Sequence, residues 1–298
     1  MNSQDENVVS ATKAGREKNP YRKYLALFIA VTFGFMWGMV FLFILFEEWL
    51  TPVFGELTQF NPLVLIALNL PSVVGLFIYV LYDGFGGLKR YLKTLIPRKK
   101  DIFWFPVIIV VMSIFAISIR LLSMLFGVDV PQMISPVQML LLFLRNFYEE
   151  VGMLGTMFGY FGFLLPYLQR SYKSNVIAGL LTGFIMGMFL APGSAFSDDT
   201  SLLLYILQWM LLSVCVSYVL CDTRCNVLFF LVTFWIACSG SRLQLYYWTT
   251  STQIIQNSLL VLVWVALHFV FKYRNKDKPL HERLPIFPDF IEQGVAAN

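Results

Sequence analysis

Apolar residues run along this chain in blocks of about twenty, separated by short polar or charged stretches, instead of alternating or tracing one stripe per helix. A helix rises about 1.5 Å per residue and needs roughly 20 apolar residues to cross the hydrocarbon core of a bilayer. Eight blocks meet that length, near 24–46, 61–82, 102–126, 136–165, 175–192, 201–220, 227–248 and 254–271. The pattern predicts an all-α, polytopic membrane helix bundle with about eight transmembrane helices. The alternative for two of the weaker blocks is a re-entrant path that enters the membrane and returns. The first apolar run follows about twenty polar residues and is too long for a signal-peptide core, so it reads as an anchor. Residues 1–20 and 274–298 read as flexible polar tails, the second interrupted by Pro279, Pro285 and Pro288, around one membrane domain over 21–273.

Composition supports this reading: 58% of residues are hydrophobic and 13% charged, with a mean hydropathy of +0.68, where a soluble domain is about a quarter charged. Charge then sets the orientation. Lysine and arginine concentrate in the N-terminal tail (Lys13, Arg16, Lys18, Arg22, Lys23), in the connection after the second block (Lys89, Arg90, Lys93, Arg98, Lys99, Lys100) and after the last block (Lys272, Arg274, Lys276, Lys278, Arg283). Arg170, Lys173 and Arg224 occupy shorter connections on the same side. The opposite connections at 47–60, 127–135 and 193–200 hold none, only acids such as Glu47, Glu48, Glu56, Asp129, Asp198 and Asp199. Basic loops stay cytoplasmic, so both termini are expected there. This asymmetry accounts for nearly all of the net charge of +4. It points to the lipid bilayer as the partner of the basic tails and to no nucleic acid.

Two carboxylates, Glu149 and Glu150, sit side by side inside the fourth block. Ionisable residues within a membrane segment face the protein interior or an aqueous cavity and mark function by default. On a helix, Arg145, Glu149, Gly152, Gly155 or Thr156, Gly159 and Gly162 share one face, with Glu150 turned about 100° away. Gly179, Gly183 and Gly187 build a second small-residue ridge, which favours close helix packing. Arg145 stands one turn before Glu149 and is placed to pair with it, whereas Arg120 is placed to snorkel to the outer surface.

Paired glutamates support general acid or base chemistry, metal binding or proton carriage. Histidine is scarce: His268 in the eighth block, read as a packing residue or a ligand, and His281 in the tail. HExxH and GxSxG are absent, and DGFGG at 83–87 lacks the lysine and helix start of a phosphate loop. Cys215, Cys221, Cys225 and Cys238 lie near the sixth and seventh blocks, where a disulfide framework is not expected. The i, i+4 pair Cys221 and Cys225 reads as free thiols or a metal clamp.

EEVGMLG at 149–155 resembles the EExxxR signature of the CPBP family (CAAX proteases and bacteriocin-processing enzymes, also called Abi), and FLLPYLQR at 163–170 is similar to the stretch that follows it. NLPSVVGLFIYVLYDGFGGLKRYLKTLIP at 69–97, DIFWFPVII at 101–109 and GLLTGFIMGMFLAP at 179–192 resemble neighbouring family segments, so the likeness covers about 60–240. The seven residues TMFGYFG separate the signature from its usual successor, about two helical turns that preserve the face. Aligning YFG at 160–162 with the signature instead would make the glutamates coincidental.

The resemblance implies an intramembrane metal-dependent endopeptidase in the plasma membrane of a prokaryote, cutting a membrane peptide. Carried over residue by residue, Glu149 and Glu150 match the family's glutamate pair as its catalytic residues. Leu154 stands at its arginine, Leu190 at a ligand histidine, and Phe234 and Cys238 near its HxxxN pattern. The leading expectation is a catalytically degenerate member, a pseudoenzyme without a bound cofactor that binds a membrane peptide or protein as scaffold, regulator or bacteriocin-immunity factor. One alternative is an active endopeptidase holding zinc or another divalent metal with His268 or Cys238 as substitute ligand. The other is a proton-coupled transporter using Glu149, against which the absence of paired broken half-helices argues.

Overall fold

A computed structural model describes residues 22–58, 60–194, 199–223 and 226–274. These residues form ten α-helices and one π-type turn, with no strand among them. In chain order the helices are α1 (Arg22–Phe54), α2 (Pro62–Thr94), α3 (Trp104–Leu125), α4 (Pro136–Glu149), α5 (Val151–Gly159), α6 (Leu165–Tyr172), α7 (Asn175–Ser194), α8 (Leu202–Asp222), α9 (Val227–Arg242) and α10 (Thr250–Arg274). The π-type turn Tyr160–Leu164 joins α5 to α6 as one continuous rod. Several starts are written in the sequence. Asn61, Ser201 and Asn226 accept a backbone N–H at the mouths of α2, α8 and α9, and Ser135 and Gln138 close a reciprocal capping box on α4.

Six segments are long and apolar enough to cross a membrane: Lys23–Phe54, Pro62–Tyr82, Trp104–Leu125, Asn175–Pro192, Leu202–Asp222 and Thr250–Arg274. The chain is therefore a multi-pass membrane protein. Two predicted blocks take a different form. The expected helix over 136–165 breaks at Glu150, whose φ of −89° and ψ of 3° leave the helical region, and the rod starting at Val151 then runs through the bundle. The block at 227–248 is helical only to Arg242, and the chain turns through a left-handed Gln244 (φ 56°).

Contacts between helix ends establish two faces. At one, Trp104 opening α3 stacks on Phe271 closing α10, Tyr24 meets Tyr82, and Gln169 of α6 donates to Asn175 of α7. This end carries the basic connections. At the other, Ser201 takes its partner from Gln253 and Met153 shares a cavity with Leu57 and Thr58. The start of α1 and the end of α10 thus lie at the same, basic end. Residues 1–21 and 275–298, with Lys13, Arg16, Lys18, Lys276, Lys278, Arg283 and His281, lie outside the described residues, as do Asp198, Arg224 and Cys225.

Glycine sets the closeness of the packing in the middle. A Cβ on Gly183 would collide with the Trp209 carbonyl and Met210 backbone of α8, and one on Gly159 with the Pro71 backbone of α2. Both ridges are therefore packing surfaces, which in lipid depends on van der Waals contact between backbones. Pro71 also leaves the carbonyl four residues back without its helical donor. Beside it, the Leu68 carbonyl accepts the Thr156 hydroxyl at 2.5 Å, stitching α5 to α2 at the disturbed turn.

Candidate functional site

The glutamate pair lies at the outer end, where α4 meets α5. Helix α4 is held to α9 by several interactions, among them Phe143 stacking on Trp235 at 4.3 Å, the Trp235 indole donating to the Phe143 carbonyl at 3.2 Å, and Asn146 donating to the Ser239 hydroxyl at 2.7 Å. The opposite face of α4 is exposed, including Leu141 and Tyr148. This docking brings the helix break against the end of α9.

Arg145 donates from Nε to Glu149 Oε1 at 2.6 Å, the i, i+4 pairing that the spacing predicts. Arg242, from α9, reaches both acids. Its Nη1 lies 3.5 Å from Glu149 Oε2 and its Nη2 3.6 Å from Glu150 Oε1. Two carboxylates thus meet two guanidiniums, and the cluster is formally neutral. Glu150 is buried at 8% exposure, close enough to Cys238 and Tyr205 for its charge to reach both. Arg120 reaches toward the outer end, as its position predicts. It donates to the carbonyls of Pro131 and Leu245, both at 3.0 Å, and so joins two outer loops.

The ligand candidates do not converge on the acids. His268 Nδ1 pairs with the Tyr218 hydroxyl at 3.0 Å near the basic end, a bundle length away. Cys221 donates to Asn175 Oδ1 at 3.0 Å, and its partner in the i, i+4 pair, Cys225, is outside the described residues. Phe234 is stacked between Trp209 and Phe230. Cys238 alone comes near Glu150. Among the described residues no three His, Cys, Asp or Glu side chains gather to hold a metal ion. The donor set implied by the family resemblance does not fit a metal ion.

At the same end, one turn along α5 from Glu150, Met153 lines a cavity of about 500 Å³. Its walls include Met36 and Met39 of α1, Leu68 of α2, Met153 of α5, Leu190 of α7 and Tyr205 of α8. Leu190, at the position the resemblance gives to a histidine, makes this surface apolar where an imidazole would have made it a ligand.

Sequence reading missed Arg242 and Tyr205 as neighbours of the acids. One signal was present: an arginine closing an apolar block on the face whose connections hold no basic residue demands a counter-charge. Neither the profiles of known protein families nor curated proteins provide a match to this chain.

Proposed function

We propose that this membrane protein acts by binding, as a scaffold, regulator or immunity factor toward a membrane peptide or protein, and that its layout resembles the CPBP family without that family's metalloprotease chemistry. The observation that carries this reading is the engagement of Glu149 and Glu150 by Arg145 and Arg242. A general base needs a carboxylate oxygen aimed at a water in reach of the scissile carbonyl. Here both oxygens of Glu149 face guanidinium nitrogens, and Glu150 faces Arg242. A hydrolytic zinc site also needs three protein ligands and an open position, and Cys238 with the two acids lacks the geometry that would supply them.

The test uses purified full-length protein in lipid nanodiscs. Metal content is measured by plasma mass spectrometry after incubation with zinc and cobalt, and cleavage of a quenched membrane-peptide library is followed with wild type and Glu149→Gln/Glu150→Gln. The binding reading expects substoichiometric metal and no glutamate-dependent cleavage. One bound metal per chain together with cleavage lost in the double variant would replace it with the endopeptidase reading.

A further inference from the structure

We propose that the outer-end cavity is a binding site for the single acyl chain of an uncharged or zwitterionic membrane amphiphile, a lysolipid being the simplest case. Its volume of about 500 Å³ falls within the range of roughly 300–1,000 Å³ in which proteins enclose small ligands. The same volume holds only about one turn of a helix roughly 10 Å across, so it does not enclose a helical peptide of several turns. An extended hydrocarbon chain fits.

The walls suit such a chain. Met36, Met39 and Met153 approach from two helices, and thioether side chains adapt their shape to irregular apolar ligands. Leu68 and Leu190 complete an apolar lining, with Tyr205 and Thr58 as polar exceptions.

The route in follows from α1. This helix leaves helical geometry at Phe46 (φ −131°, ψ 32°), and the Phe54 ring comes within 6.5 Å of the Phe43 ring, although eleven residues of straight helix would separate them by about 16 Å. The segment after Phe46 is therefore folded back at the outer end, and Leu57 and Thr58 beyond it line the cavity. It is pinned there. Asn61 Nδ2 donates to the carbonyls of Phe54, Gly55 and Glu56 at 2.9, 3.4 and 2.9 Å, and Gly55 supplies the left-handed turn (φ 79°) that presents them. Helix α1 separates the cavity from the bilayer: Met36, Met39 and Val40 on its inner face line the cavity, and Leu42 and Leu45 on its outer face are exposed at 53% and 71%, so a membrane chain has only the thickness of one helix to pass.

Charge selects the headgroup. Glu47, Glu48 and Glu56 are exposed on the roof, and no lysine or arginine occurs between residues 24 and 88. Arg145 and Arg242 at the same end are matched by Glu149 and Glu150, so the three roof acids set the field, repelling an anionic headgroup and tolerating a choline-bearing one.

The inference goes beyond the binding-versus-cleavage question: metal content and peptide cleavage decide that one, lipid labelling this one. The probe is a 16-carbon lysophosphatidylcholine carrying a diazirine at the chain end, photolysed with full-length protein in phosphatidylcholine nanodiscs and mapped by peptide mass spectrometry. Labels are expected on Met36, Met39, Met153 or Leu190, with competition by unlabelled lysophosphatidylcholine and about tenfold less labelling by the matching palmitate probe. Met39→Trp and, separately, Leu190→Trp should each cut the cavity labels about tenfold. Wild-type mapping stands without either variant should one misfold. Labels confined to the outward faces of α3 and α10, or cavity labels that competition does not reduce, overturn the proposal. Equal labelling by the palmitate probe overturns the headgroup selection.

Discussion

The two ends of the bundle hold their charges in opposite ways. At the basic end, Arg98 grips Asp101 through two bonds of 2.7 Å and also donates to the Asp222 carbonyl at 3.1 Å, while Trp104 donates to Asp222 Oδ2 at 2.9 Å. Behind this latch, Asn175 ties Gln169, Cys221 and Ser217 together. All of these bonds are 2.7 to 3.1 Å long, although two of them reach across more than a hundred residues of chain. At the outer end, Arg242 stands 3.5 to 3.6 Å from its two acids, beside a helix break. The basic end is fastened at hydrogen-bond distance, and the Arg242 contacts at the outer end are looser. A site able to admit a partner is expected where local stability is lowest.

The largest effect should come from the seam both ends share. Gly183→Val drives side-chain atoms into the α8 backbone, which cannot yield as a side chain can, and should cost about 3 kcal/mol by overpacking. Unfolding by sodium dodecyl sulfate titration should shift for probes at both ends together. Separate responses would show that the ends are not coupled through α7 and α8.

Arg242→Ala should separate the ends. It leaves Glu150 buried opposite an empty position, and because Arg242 is itself 42% exposed the loss is about 2 kcal/mol, below the roughly 3–5 kcal/mol of a fully buried broken pair. Proteolysis of the 127–135 connection should accelerate while the basic end stays protected. Adding Glu150→Gln should recover part of the loss, and a double-mutant cycle measures the coupling.

Acid offers a separate handle on the opposite end. Burial alone would raise the Asp101 carboxyl, but the Arg98 hydrogen bonds and charge outweigh it and hold the group below its usual 3.8. A folded-state value below the unfolded one means that the stabilisation is complete above the unfolded value and disappears as pH falls through the folded one. Thermal midpoints followed downward from pH 5 should fall below about pH 4, and Asp101→Asn should remove that component, at a cost of about 1 kcal/mol at neutral pH. Arg145→Ala should have the smallest effect. Its side chain is 71% exposed, and such pairs contribute about 0.5 kcal/mol or less.

The helical class, the segregation of basic connections, both glycine ridges and the Arg145–Glu149 pair were legible because each rests on local spacing. The break at Glu150 was not. No proline or glycine stands at that position, and the segment continues apolar on both sides; docking of Asn146 and Phe143 on Trp235 and Ser239 decides it. Arg242 was hidden for a related reason, since its two partners belong to another helix. His268 left two readings open, packing residue or ligand, because one histidine in an apolar block carries no information on its partner; its ring bonds a tyrosine at the far end.

Helix α9 also bears on the membrane itself. Its 16 residues reach about 24 Å, against roughly 30 Å of hydrocarbon in an average bilayer. Among its residues only Arg242 is exposed, so neighbouring helices, and not thinned lipid, meet the shortfall. The amphipathic α4 packs along its outer half through Phe143 and Asn146 and turns Leu140, Leu141 and Leu144 outward. A short inner helix covered by an amphipathic one lets the bundle keep an ordinary apolar perimeter, with any hydrophobic mismatch decided by the longer helices at the rim.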